Sequence, residues 1–127
     1  GSLGRELGLH LKKNNIKLDF AGLDTSAYYK AEMNEITFLG QRALRNHDAY
    51  HVLLNLGVSA MDECALAAVQ LAQFASPVYS TLVASWILHF IYVKPEGMRE
   101  VLDVTARNYE LGKRLVFLPG FRLEDHW

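Results

Sequence analysis

The chain is poor in the residues that staple small proteins together. It has one cysteine in 127 residues, so no internal disulfide can form. That cysteine, Cys64, lies in the apolar stretch 64–71, where a small buried hydrophobe is the expected role and a reducing compartment the matching environment. Charge of one sign is lacking too. Thirteen Lys and Arg face 14 Asp and Glu, and the basic residues are scattered without a run, which excludes a nucleic-acid partner. No segment has the strict alternation of a half-buried strand, so the expected class is all-α. Gly1-Ser2 reads as the scar of a cleaved tag, which leaves any native targeting segment open.

The largest deficit is local. From Cys64 through Val93, thirty residues contain no Asp, Glu, Lys or Arg. A spanning helix needs about 20 apolar residues. The Ser76-Pro77 break leaves only 78–93, interrupted by Ser80, Thr81, Ser85 and His89, so no transmembrane helix is expected. Helices apolar all round are either deeply buried or face lipid, a greasy ligand or a second subunit. Plain core, a lipid pocket and a homodimer interface all stay open. His89 is expected as a satisfied core histidine.

What is present reads as helices. Half the residues are hydrophobic, enough for one core, so residues 1–127 are expected to form a single helical-bundle domain. Leu3, Leu7 and Leu11 step by four in a leading helix that ends at Lys12-Lys13-Asn14-Asn15. Asp24-Thr25-Ser26 offers N-caps for a helix through Tyr28, Tyr29 and Met33 toward Phe38, with Gly40 as a break or packing point. A helix from Gln41 to Leu56 follows, with Gly57 as its stop. Ser59 and Asp62 fit a capping box opening a helix toward Phe74, and Ser76-Pro77 opens another to about Val93. Lys94-Pro95-Glu96 begins the last long helix, and Leu118-Pro119-Gly120 is a turn.

Within His47-Asp48-Ala49-Tyr50-His51 the histidines are four apart, which sets their rings one turn apart on the same helix face, at chelate spacing. Asp48, about 100° round from His47, lies at the edge of that face. Glu63 would be roughly 18 Å from His51 on a continuous helix. Gly57 and Ser59 argue for a hairpin instead. Folded back, His51 lies about 9 Å of helix before Gly57 and Glu63 about 6 Å after Ser59, at similar heights. Asp62 is occupied at its own helix end, which leaves Glu63 as the carboxylate for the site. The expected metal ligands are therefore His47, Asp48, His51 and Glu63, with Asp48 and Glu63 as the candidate catalytic carboxylates. Mixed imidazole and carboxylate suits zinc, iron or manganese better than calcium and leaves magnesium open.

These residues carry a resemblance. His47-Asp48, His51 three positions on, and Glu63 after eleven intervening residues resemble the signature of the fourth member of the Coq family of ubiquinone (coenzyme Q) biosynthesis proteins. The likeness extends to Leu3-Gly4-Arg5, Arg45, Gly112-Lys113-Arg114 and the closing Leu123-Glu124 and Trp127. Lys113 stands where the family usually has Arg, and Leu123 where Trp is common. The resemblance implies an all-helical protein with a divalent metal, zinc first among the choices. It implies a place on an inner membrane, at the cytoplasmic face if bacterial or the matrix face if mitochondrial, among other quinone-biosynthesis proteins. It implies a polyprenylated hydroxybenzoate substrate, oxidatively decarboxylated at ring carbon one. It makes Arg45, Lys113 and Arg114 candidate substrate contacts.

Other readings compete with this one. A noncatalytic isoprenoid-lipid-binding scaffold fits the uncharged stretch, the metal then only tying the hairpin together. A zincin-like metallohydrolase shares the histidine spacing, but Asp48 stands where that motif needs Glu. A His-Asp phosphohydrolase would need further ligands on other helices, and no second motif supplies them.

Overall fold

The computed structural model describes residues 1–16 and 34–126, and every regular element among them is helical. Residues 1–53 together with 118–127 make one unit, and residues 54–117 a second.

The first unit opens with α1 (Leu3–Lys13). Ser2 caps it by accepting from the Arg5 N–H, and Lys12 and Lys13 in the last turn complement the helix dipole. Leu3 and Leu11 are buried, as their shared stripe requires. The N-caps at Asp24, Thr25 and Ser26, and the segment through Tyr28, Tyr29 and Met33, lie outside the described residues. The next described helix, α2 (Glu35–Arg45), is capped instead by Asn34, whose side chain accepts from the Thr37 N–H at 2.9 Å. Gly40 does not break this helix: it sits mid-helix, and among the described residues a Cβ there would meet nothing within 4 Å.

The single helix expected from Gln41 to Leu56 is two. Asn46 ends α2, its N–H shared between the carbonyls of Arg42 and Leu44, and α3 (His47–Leu53) begins at the next residue. The Tyr50 N–H still reaches the Asn46 carbonyl at 3.0 Å, so the interruption at Asn46 keeps that bond. Gly57 is not the helix stop either. Asn55, at φ 52°, takes the left-handed conformation, which Asn tolerates better than most residues, and no glycine among the described residues has positive φ.

Arg42 ties α2 to the C-terminal segment, donating from Nε to the Pro119 carbonyl and from a terminal nitrogen to the Phe121 carbonyl, both at 2.8 Å. The Tyr50 hydroxyl, fully buried, donates to the Leu118 carbonyl at 3.2 Å. Two 3-10 turns, Leu118–Gly120 and Leu123–His126, complete this segment, and Leu118 and Leu123 are buried.

In the second unit α4 (Ala60–Gln73) packs on both α5 (Pro77–Tyr92) and α6 (Met98–Arg114). The Ser59–Asp62 capping box forms as expected, and Gly57 provides room for it: a Cβ there would stand 2.8 Å from the Asp62 carboxylate. Ser76 and Pro77 open α5, and a 3-10 turn over Pro95–Gly97 leads into α6.

The uncharged stretch divides into two kinds of surface. Residues Cys64 through Gln70 of α4 are all buried, because this helix is covered by neighbours on two sides. Cys64, Phe90 and Val101 form one core cluster, and Ala67, Ala68 and Val83 another. The Cys64 thiol lies 3.3 Å from the Thr105 hydroxyl, and burial raises its pKa, partly offset by that hydrogen bond. By contrast α5 exposes Val78, Leu82, Leu88, Ile91 and Tyr92. His89 is partly buried, edge-on to Trp86 and Phe90. No described helix is long and apolar enough to cross a membrane.

Candidate metal centre

The short α3 carries three of the four sequence-predicted ligands. Its one-turn spacing sets the His47 and His51 rings edge to face, with centroids 4.8 Å apart. Their Nε2 atoms approach to 3.1 Å. Two nitrogens at about 2.0–2.1 Å from one zinc ion are separated by about 2.9 Å at a right angle and about 3.4 Å at a tetrahedral angle. The observed spacing falls inside that interval, so this pair fits a shared divalent cation as well as a neutral imidazole–imidazole hydrogen bond. His51 is 1% exposed, whereas His47 and Asp48 are partly exposed, which leaves an approach from solvent on the His47 side.

The packing around α3 holds the pair in place. Tyr50 is pinned by its bond to the Leu118 carbonyl. Burial pushes its phenol pKa up, more than the Asn46 hydrogen bond and the Arg42 charge pull it down. On the other side α1 packs on α3 and lays the His10 ring over His51, centroids 5.9 Å apart and planes 23° apart. His10 was missed in the sequence. The available signal was its register: seven residues after Leu3 and three after Leu7, it belongs to the apolar stripe of α1.

Glu63 is in the first turn of α4, in the second unit, partly buried. Its helix register follows from the capping box. The Ser59 hydroxyl accepts from the Asp62 N–H at 3.2 Å, and the Asp62 carboxylate accepts from the Ser59 N–H at 3.1 Å. Asp62 is thereby engaged at the helix end, as the spacing predicts.

The candidate substrate contacts belong to both units. Arg45 is exposed at the end of α2 in the first unit, and Lys113 and Arg114 at the end of α6 in the second. Lys113 pairs with Glu110 at 2.8 Å on the surface and holds that carboxyl below its ordinary pKa. Arg114 borders a shallow hollow with Ala106, Arg107 and Leu111.

A family model described as coenzyme Q (ubiquinone) biosynthesis protein Coq4 matches residues 1–127, the whole chain. Comparison with curated proteins and with solved structures returns no match. An all-helical chain with paired histidines one turn apart, matched by that model from end to end, therefore belongs to the Coq4 family of ubiquinone biosynthesis proteins.

Proposed function

We propose that the chain is a metal-dependent enzyme of ubiquinone biosynthesis that replaces the ring carboxyl of a polyprenylated hydroxybenzoate with hydroxyl. The observation that carries this reading is the 3.1 Å approach of the His47 and His51 Nε2 atoms in a chain of this family. In this reading His47, His51 and Glu63 hold a divalent ion, zinc first, with iron, manganese and magnesium as alternatives. Such an ion supplies Lewis acidity, stabilising negative charge on the substrate's carboxylate or an adjacent phenolic oxygen as CO₂ leaves.

The chain's own residues do the rest. His51, buried, anchors the site, and partly exposed His47 borders the side open to substrate. Glu63 brings a compensating negative charge, and Asp48, beside His47, orients an imidazole or moves a proton. The carbon–carboxyl bond breaks and a carbon–oxygen bond forms. With water as the oxygen source, one CO₂, two protons and two electrons are released, the electrons passing to dioxygen. Arg45, Lys113 and Arg114, all exposed, serve as cationic substrate contacts in this reading.

The exposed apolar residues of α5 support a lipid-facing role, either along the prenyl tail or on a membrane surface. Each tail methylene buried would add about 0.8 kcal/mol. The same face favours a second reading, a scaffold that binds the isoprenoid and gathers other biosynthetic proteins without chemistry of its own.

Elemental analysis of the parent, His51→Ala and Glu63→Ala at matched folded fraction tests the proposal, followed by turnover of a prenylated hydroxybenzoate. One ion per chain, lost in both variants together with turnover, is expected. Full turnover in metal-stripped protein would sink the metal-dependent mechanism, and binding of the isoprenoid with no turnover in loaded protein would favour the scaffold.

A further inference from the structure

We propose that His10 is a positioning residue that holds the His51 imidazole in its metal-binding orientation, an inference resting on the metal reading above. A histidine ring turns readily about its Cβ–Cγ bond, because that torsion is broad and roughly two-fold. A half turn puts Cε1 where Nε2 stood and Cδ2 where Nδ1 stood, so a carbon would face the site in place of the ligand nitrogen. A site that uses the Nε2 of His51 beside the Nε2 of His47 must therefore suppress this rotation. The helix that carries both residues cannot do so alone. At seven residues α3 is far below the length at which a helix is stable in isolation, so its side chains depend on what packs against them.

His10 supplies the flat surface. Its ring lies nearly parallel to that of His51, at 23° and 5.9 Å between centroids. A turning His51 ring would sweep its edge toward the space His10 fills. The backbone of α1 is itself fixed by buried Leu3 and Leu11, whose stripe includes His10. The contribution is steric. The Nε2 of His10 is buried and makes no hydrogen bond among the described residues, so its face is what it offers to His51. His10 also stands outside the group His47, Asp48, His51 and Glu63 and acts only through His51.

The test separates ring positioning from metal binding. In metal-free protein, two-bond proton–nitrogen correlation spectra of the imidazoles are recorded for the parent, His10→Ala and His10→Phe. Zinc affinity is then measured for each by competition with a chromophoric chelator. The parent is expected to show one sharp tautomer for His51. His10→Ala, at matched helical content, should broaden or average it and weaken zinc binding about tenfold, the lower end for a residue supporting a ligand. His10→Phe keeps a flat ring and should restore both. Unchanged His51 signals in folded His10→Ala overturn the proposal, and so does a His10→Phe protein that behaves like His10→Ala, since the nitrogen would then be what counts. If the parent takes up no zinc while His10→Ala still loosens His51 and His10→Phe tightens it, the metal reading fails and the positioning role stands.

Discussion

Replacing Gly112 by alanine should destabilise the protein, although alanine is the better helix former. In α6 the added Cβ would stand 2.6 Å from the Val69 carbonyl oxygen, 2.8 Å from the Ala72 Cβ and 3.0 Å from the Val69 Cα. Carbon–oxygen contacts of ordinary closeness begin near 3.3 Å, so α4 and α6 would have to part by several tenths of an ångström. None of those atoms belongs to a side chain that can swing away. Overpacking of this kind costs about 1–3 kcal/mol, and rigid backbone neighbours place it near the top of that range. Against it, alanine for glycine inside a helix gains about 1 kcal/mol. The net expectation is a loss of roughly 2 kcal/mol, a fall in Tm of about 6–10 °C for a chain of this size. Urea unfolding followed by circular dichroism reads it as a lowered midpoint at constant slope. Gly40→Ala is the control. Among the described residues nothing lies within 4 Å of its added Cβ, so the propensity gain of about 0.5–1 kcal/mol should appear unopposed. A Gly112→Ala protein as stable as the parent would refute the close approach of α4 and α6.

Tyr50→Phe removes the donor to the Leu118 carbonyl in a fully buried site and should cost about 1–2 kcal/mol, read from the urea midpoint. Ser59→Ala breaks the capping box of α4 and should cost about 1 kcal/mol in the same assay, with Ser59→Asn recovering most of it. Stability should also fall in alkali. The folded protein holds the Cys64 and Tyr50 protons above their ordinary values of 9.0 and 10.0. The unfolded chain releases them first, so this stability is whole below about pH 9 and is lost as pH rises through the raised native values. Cys64→Ala should move the onset of that loss from near pH 9 to near pH 10, and an unmoved onset would count against the thiol's burial.

Some of this architecture was legible because it rests on local chemistry. The Ser59–Asp62 box and the Ser76-Pro77 start follow from hydrogen-bonding needs at helix ends, which involve only four consecutive residues. The spacing of His47 and His51 likewise needs no tertiary information, since one helical turn places their rings together. Chain punctuation was less legible. Asn46 and Asn55, not Gly40 and Gly57, interrupt and end the helices: Asn46 caps α2 through its backbone N–H, and Asn55 takes the left-handed region that asparagine tolerates.

The amino-acid sequence by itself thus determined the all-helical class, the capped starts of α4 and α5 and the one-turn histidine pair, all set by interactions within about four residues. Only the tertiary structure decided which uncharged helix is core and which is surface, because hydropathy alone does not say how many neighbours a helix has: α4 is enclosed by α5 and α6, while α5 keeps an open face. It likewise decided that Gly112 is a packing residue, that Arg42 and Tyr50 anchor the C-terminal turns, and that His10 lies on His51. Each of these joins residues distant in the chain, whose distance no local pattern encodes.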